Sequence, residues 1–124
     1  MELEVLDYEL TVCKLNDVAD AMMSGEFFFL GRTKDEISSL VCPTEDVPAT
    51  TISREDGWRA FRICGTLDFS LIGILSKLTT ILAESGIGIF AVSTYDTDYI
   101  LVRDKDLEPA MKALEDERYI FKQE

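Results

Sequence analysis

Chemistry in this 124-residue chain would have to be done by carboxylates, lysines, tyrosines or thiols, because it contains no histidine. That absence removes Ser-His-Asp and Cys-His nucleophile activation, imidazole acid–base work and the commonest metal ligand. Cys13, Cys42 and Cys64 form no C-x-x-C pair and leave an odd thiol. Such usage fits small buried hydrophobes in a reducing compartment better than a disulfide framework or a zinc site. A catalytic reading would rest on carboxylates such as Glu26, Asp68 and Asp98, with neither a phosphate loop nor metal-ligand spacing beside them. An enzyme is therefore the weakest reading. No catalytic residue, metal or cofactor is expected.

Lysine and arginine number 12 against 24 aspartates and glutamates, a net charge of −12. Such a field repels phosphate backbones and anionic lipid surfaces, which argues against nucleic acid and membrane as partners. It suits a cationic or zwitterionic ligand or a basic protein, and it equally serves solubility. No apolar run approaches the roughly 20 residues of a membrane span. The start, Met1-Glu2-Leu3-Glu4, lacks the basic and apolar regions of a secretory signal, so the expected location is the cytoplasm.

Periodicity sets the elements that must carry these groups. Trp58–Gly65 reads as a strand, followed by Leu71, Ile74, Leu75, Leu78, Ile81 and Leu82 at helical spacing and a stop at Gly86. Ile87–Val92 and Tyr99–Val102 read as strands joined through the turn Tyr95-Asp96-Thr97. Asp106 is placed to cap a second helix with Leu107, Ala110, Met111 and Leu114 on one stripe, and Arg118–Phe121 to close the sheet.

The first half follows the same order in reduced form. Tyr8–Cys13, Glu26–Gly31 and Ile37–Cys42 read as strands, and Asp17–Ser24 as at most two helical turns. Pro43–Pro48 leaves room for one further turn, Thr50–Ser53 closes the sheet, and Glu55-Asp56-Gly57 is a turn between the halves. Gly25–Val41 aligns without gaps on Gly86–Val102, with identities at Gly25/Gly86, Phe29/Phe90, Thr33/Thr94, Asp35/Asp96, Leu40/Leu101 and Val41/Val102. Tyr8–Asp17 aligns likewise on Arg59–Asp68. Two matches in the same order point to one unit used twice: a degenerate lobe over 1–56 and a full unit over 57–124. Each is small alone, so the two are expected to share a core. The expected fold class is α+β: two ferredoxin-like βαββαβ units in tandem, antiparallel sheets with helices on one face, and truncated helices in the first.

The run LDFSLIGILSKLTTILAESGIGIFAVSTYDTDYILV, Leu67–Val102, resembles an ACT domain throughout. Its marks are a Leu-Asp loop opening a helix, a Gly-Ile-Gly-Ile entry to the second strand and a Ser-Thr-Tyr-x-Thr-Asp hairpin. With FFFLGRTKDEISSLVCP and WRAFRICGTLDF, the chain is similar to small stand-alone bacterial ACT proteins, CASTOR-type cytosolic arginine sensors and the regulatory ACT domains of aspartate kinases. The resemblance implies a non-enzymatic regulatory module that binds a free amino acid where two ACT units meet.

In such a site the ligand carboxylate needs backbone N–H donors, which the helix start through Phe69, Ser70, Leu71 and Ile72 offers. Its ammonium needs an anion, for which Asp68 and Asp98 are the candidates. By resemblance to the arginine sensors, Tyr95 packs on the ligand, Asp98 accepts from its basic end, and the backbone of Gly88 and Ile89 lines the floor. Each has a plainer duty: Asp68 as a helix cap, Asp96 and Asp98 as turn residues, Gly88 for close packing, Tyr95 as an exposed turn residue. Trp58 suits an edge or interface anchor better than a ligand platform. Lys34 and Ile37 stand where Tyr95 and Asp98 stand, so the first lobe is expected to lack a site of its own. Phe27–Phe29 put aromatics on both faces of one strand, which argues for cover by a neighbouring lobe or subunit and hence a homodimer. The regulatory output would fall to a protein partner in trans. The competing reading is a ligand-free ACT scaffold whose acidic surface binds proteins.

Overall fold

The computed structural model describes residues 1–21, 25–35, 38–64 and 73–123. It divides into two compact units, Tyr8–Trp58 and a larger one made of Met1–Asp7 with Arg59–Glu124. The N-terminal segment thus belongs with the second half of the chain, whereas the sequence reading assigned it to the first lobe.

The smaller unit begins with β2 (Leu10–Leu15) and a single helical turn, α1 (Val18–Ala21), followed by β3 (Phe29–Arg32) and β4 (Ser38–Pro43). Asp17 opens α1 by accepting the Ala19 N–H at 2.9 Å. A 3-10 turn at Thr44–Asp46 takes the place of the second helix, and the first part of β5 (Thr51–Ile63) closes the sheet in the order β3-β4-β2-β5. With the 3-10 turn counted as a helix, this is the reduced βαββαβ order read from the sequence. Its core is Cys13, Leu15, Ala21, Leu40 and Cys42, with Phe28, Leu30 and Val47 packed against it.

The expected turn at Glu55-Asp56-Gly57 is instead part of β5. Leu10 stands opposite Trp58 and Val12 opposite Glu55, so Thr11 alone faces both Asp56 and Gly57. Gly57 has φ +83, the left-handed glycine of a bulge. Turn chemistry and bulge chemistry ask for the same residues, and here the strand continues through them. Buried Thr11 donates to Asp56 Oδ1 at 2.7 Å and Arg54 NH2 donates to the same oxygen at 2.8 Å.

The larger unit comprises β1 (Glu2–Val5), the end of β5, α2 (Ile74–Glu84), β6 (Phe90–Ser93), β7 (Asp98–Arg103), α3 (Leu107–Asp116) and β8 (Ile120–Gln123). Its strand order is β6-β7-β5-β1-β8. Strand β1, absent from the sequence reading, pairs antiparallel with β5 and parallel with β8. The closing strand therefore meets β1, not β5, in a parallel pair where an antiparallel sheet was expected. In β1, Leu3 and Val5 join the core while Glu4 faces Arg62 and binds it at 2.7 Å. Helices α2 and α3 cover one sheet face through Leu78, Leu82, Leu107, Ala110 and Leu114, over Phe61, Ile63, Ile100 and Val102.

Both helices end in the same hydrogen-bonded motif. Gly86, at φ +75, follows α2, and Ile87 N–H returns to Leu82 C=O at 3.0 Å while its side chain enters the core. After α3 the left-handed position holds Arg118, at φ +72, and Tyr119 N–H returns to Leu114 C=O at 3.1 Å. Asp106 occupies the cap position of α3, but its side chain makes no cap hydrogen bond.

The gapless internal alignment is one residue out of phase with the fold. It lays Leu40 over Leu101, yet Leu40 faces the core of its unit and the core of the other takes Ile100 and Val102. A one-residue shift turns every side chain to the other sheet face. The first hairpin closes at Arg32–Ser38 and the second at Ser93–Asp98, a tighter loop. The fold counterpart of Asp98 is therefore Ser38, not Ile37, which lies outside the described residues.

Candidate functional site at the β6–β7 hairpin

The hairpin at the end of the larger unit's sheet is held by two threonines that the sequence reading named in the hairpin motif without giving them a role. Thr94 N–H donates to Thr97 C=O at 2.8 Å, and Thr97 N–H returns to Thr94 Oγ1 at 3.2 Å. Only Tyr95 and Asp96 remain in the loop. Buried Thr97 donates through Oγ1 to Ile63 C=O at 2.6 Å, which ties the hairpin to the last residue of β5. The Thr-x-x-Thr spacing is the signal that could have identified this clamp.

Asp98 follows directly. It alternates with Ile100 and Val102, so its side chain lies on the helix-covered side, half-buried and with no partner among the described residues. Tyr95 is 84% exposed at the tip. A half-buried carboxylate with no counter-charge among the described residues and an exposed aromatic side chain can together receive a cation.

Gly88 and Ile89 precede β6, on the side away from the hairpin. Ile89 stands four residues from Ser93, the partner of Asp98, or roughly 13 Å at the rise of a strand. Within one unit the structure does not bring these two residues together with Asp98. A Cβ at Gly88 would meet nothing within 4 Å, so close packing among the described residues does not require glycine there. Asp68, Phe69, Ser70, Leu71 and Ile72 lie outside the described residues. The chain enters that segment just past Ile63, beside Thr97, and leaves it at Gly73, whose left-handed φ of +85 opens α2 with no side-chain cap.

In the smaller unit the counterpart position is closed. Ser38 is 1% exposed and its hydroxyl finds no partner among the described residues. Lys34 sits exposed in the turn, the counterpart of the Tyr95 region. The aromatic run is half-buried within its own unit: Phe28 packs on the core, and Tyr8 stacks on Phe27 at 4.9 Å, with Phe27 edge-on to Phe29 at 5.3 Å. Tyr8 thus supplies part of the cover that the sequence reading had sought from a neighbouring lobe or subunit. Trp58 is buried in β5 opposite Leu10.

Cys13 and Cys42 are buried free thiols and Cys64 is partly exposed. Burial raises the Cys13 thiol and, with Cys13 and Asp46 nearby, pushes Cys42 up to about 11, so neither is a ready nucleophile. Among the described residues no group of three His, Cys, Asp or Glu side chains converges to hold a metal. No helix among them is long and apolar enough to cross a membrane.

The sequence profile of the ACT domain matches residues 53–116, just over half of the chain, from within β5 to the end of α3. The chain belongs to the ACT domain family. A crystal structure of a protein from Agobacterium tumefaciens is 31% identical, with a TM-score of 0.87, and the alignment covers 99% of this chain and 92% of that one. A Vibrio cholerae protein of unknown function shares the fold at 19% identity and a TM-score of 0.74, covering 93% of this chain and 88% of that one. So does the regulatory subunit of aspartate kinase from Thermus thermophilus, at 11% identity and a TM-score of 0.63, covering 92% and 95%. No curated protein sequence matches. The ACT match centres on the larger unit, the one that carries the open hairpin.

Proposed function

We propose that this ACT protein is a regulatory, non-enzymatic module that binds a free amino acid at the hairpin end of its larger unit. The observation that carries this reading is Asp98, held half-buried at the sheet end by the Thr94–Thr97 clamp and free of any described counter-charge. Asp98 would take the basic end of the ligand, Tyr95 would pack on it, and Asp68 with the backbone of Phe69–Ile72 would hold its ammonium and carboxylate. A net charge of −12 favours a cationic amino acid. Gly88 and Ile89 enter only as contributions from a second subunit, since β6 separates them from Asp98. The proposal therefore includes a homodimer, acting in the cytoplasm, whose ligand-dependent packing a protein partner reads.

Thermal unfolding of the purified protein against the twenty amino acids tests it. A ligand binding only the folded state adds about 2.7 kcal/mol of stability at one hundred times its Kd. One or two selective shifts, abolished by Asp98→Ala, are expected. No shift from any amino acid would sink the sensor reading and leave the ligand-free scaffold, a reading favoured by the exposure of Tyr95.

A further inference from the structure

A groove of about 400 Å³ lies elsewhere in the larger unit, where the start of α2 meets the turn between α3 and β8. It is lined by Met1, Ile74, Lys77, Glu117, Arg118 and Tyr119. The volume falls within the roughly 300–1,000 Å³ of small-molecule sites. Its apolar lining comes from Met1, which is 50% exposed, half-buried Ile74 and buried Tyr119.

Its charges are unusual for this chain. Acids outnumber bases 24 to 12, yet both Lys77 and Arg118 open onto the groove and neither has an ion-pair partner among the described residues. Arg118 also occupies the left-handed position that glycine fills after α2, a conformation that disfavours a side chain. Burial, with Glu117 nearby, raises the Tyr119 phenol above its ordinary pKa, and the basic side chains of the lining are Lys77 and Arg118. Glu117 adds one acceptor at the rim.

We propose that this groove is a second binding site, for a small organic carboxylate with an apolar body. Lys77 and Arg118 pair with the carboxylate, and Ile74, Met1 and Tyr119 receive the apolar part. Glu117 accepts an ammonium if the ligand carries one, so amino acids and their 2-oxo counterparts share the chemistry.

The test is a 1H–15N NMR titration of the full chain with leucine, 4-methyl-2-oxopentanoate and inorganic phosphate in separate arms. Either organic acid is expected to shift the amides of Ile74–Lys77 and Glu117–Tyr119. Its affinity should fall about tenfold or more in Arg118→Gly and in Lys77→Gln, the loss of one charge-assisted hydrogen bond. Arg118→Gly places at that position the residue its backbone favours, so lost binding cannot be blamed on lost folding. Unchanged affinity in both variants, or phosphate binding as tightly as the organic acids, overturns the proposal. Shifts confined to Thr94–Asp98 overturn it while leaving the hairpin reading standing, and shifts in the groove alone support it and leave the hairpin reading, which calls for a cationic ligand, to its own test.

Discussion

Asp98 and Ser38 occupy the same place in two hairpins and meet different surroundings. Each is the first paired residue of its strand, opposite Ser93 and Arg32 respectively, and each lies on the core side of its sheet. Asp98 is half-buried and has no partner among the described residues, whereas Ser38 is 1% exposed. The difference comes from what the helices do. Among the described residues the larger unit has two, of 11 and 10 residues, which build its core. The smaller has one four-residue turn and a 3-10 turn, and is held largely by strand pairing on both edges of β2. A duplicated fold can thus keep its hairpin in both copies and keep a usable carboxylate in one.

Transplanting the charge should break the smaller unit. Ser38→Asp would bury a carboxylate without a counter-charge and is expected to cost about 3–5 kcal/mol by denaturant unfolding. A neutral result would mean that the position opens in solution. Next, Leu82→Ala should cost about 3 kcal/mol, because this fully buried side chain lies between α2 and the sheet. Leu15→Ala, in the smaller core, should cost less in the same assay, and equal losses would erase the contrast between the cores.

The two hairpin-entry glycines give a matched pair. Gly25 and Gly86 have φ +91 and +75, so alanine at either should lose about 1–2 kcal/mol. Gly25→Ala should lose more, since its Cβ would come within 2.9 Å of Asp46 Oδ2, while at Gly86 nothing lies within 4 Å.

The smallest effect is a pH dependence confined to the smaller unit. Hydrogen bonds from Thr11 and Arg54 hold Asp56 below its ordinary 3.8. A lowered folded pKa stabilises above the unfolded value, and that contribution disappears as pH falls through the folded one. Wild type should therefore exceed Asp56→Asn in stability at pH 6, with the gap closing below pH 3.8. A gap that persists in acid would show that the bulge does not depend on the carboxylate's charge.

Much of this was legible in the chain. The apolar stripe Leu78–Leu82 and the stop at Gly86 define α2, and the reduced lengths around Asp17 and Pro43 announce the small helices of the first unit. Strand β1 was not, because Glu2-Leu3-Glu4-Val5 is four residues long and takes its partners from Arg62 and Ile120 far along the chain. Continuity of β5 was hidden by Glu55-Asp56-Gly57, whose residues serve a turn or a bulge equally. The hairpin's candidate residues, Tyr95 and Asp98, were named from sequence, and their role rests on the proposal. The clamp depends on Thr97 reaching Ile63, and the phase of the internal repeat depends on loop length, which identities alone do not reveal.

The most direct test of a site in one unit and not the other is an NMR titration with the amino acid that most raises the unfolding temperature. Amides of Thr94–Tyr99 should shift while those of Arg32–Lys34 and Ser38–Leu40 stay in place, and Asp98→Ala should abolish the response. Shifts centred on the smaller unit's hairpin, or a response that survives Asp98→Ala, would contradict it.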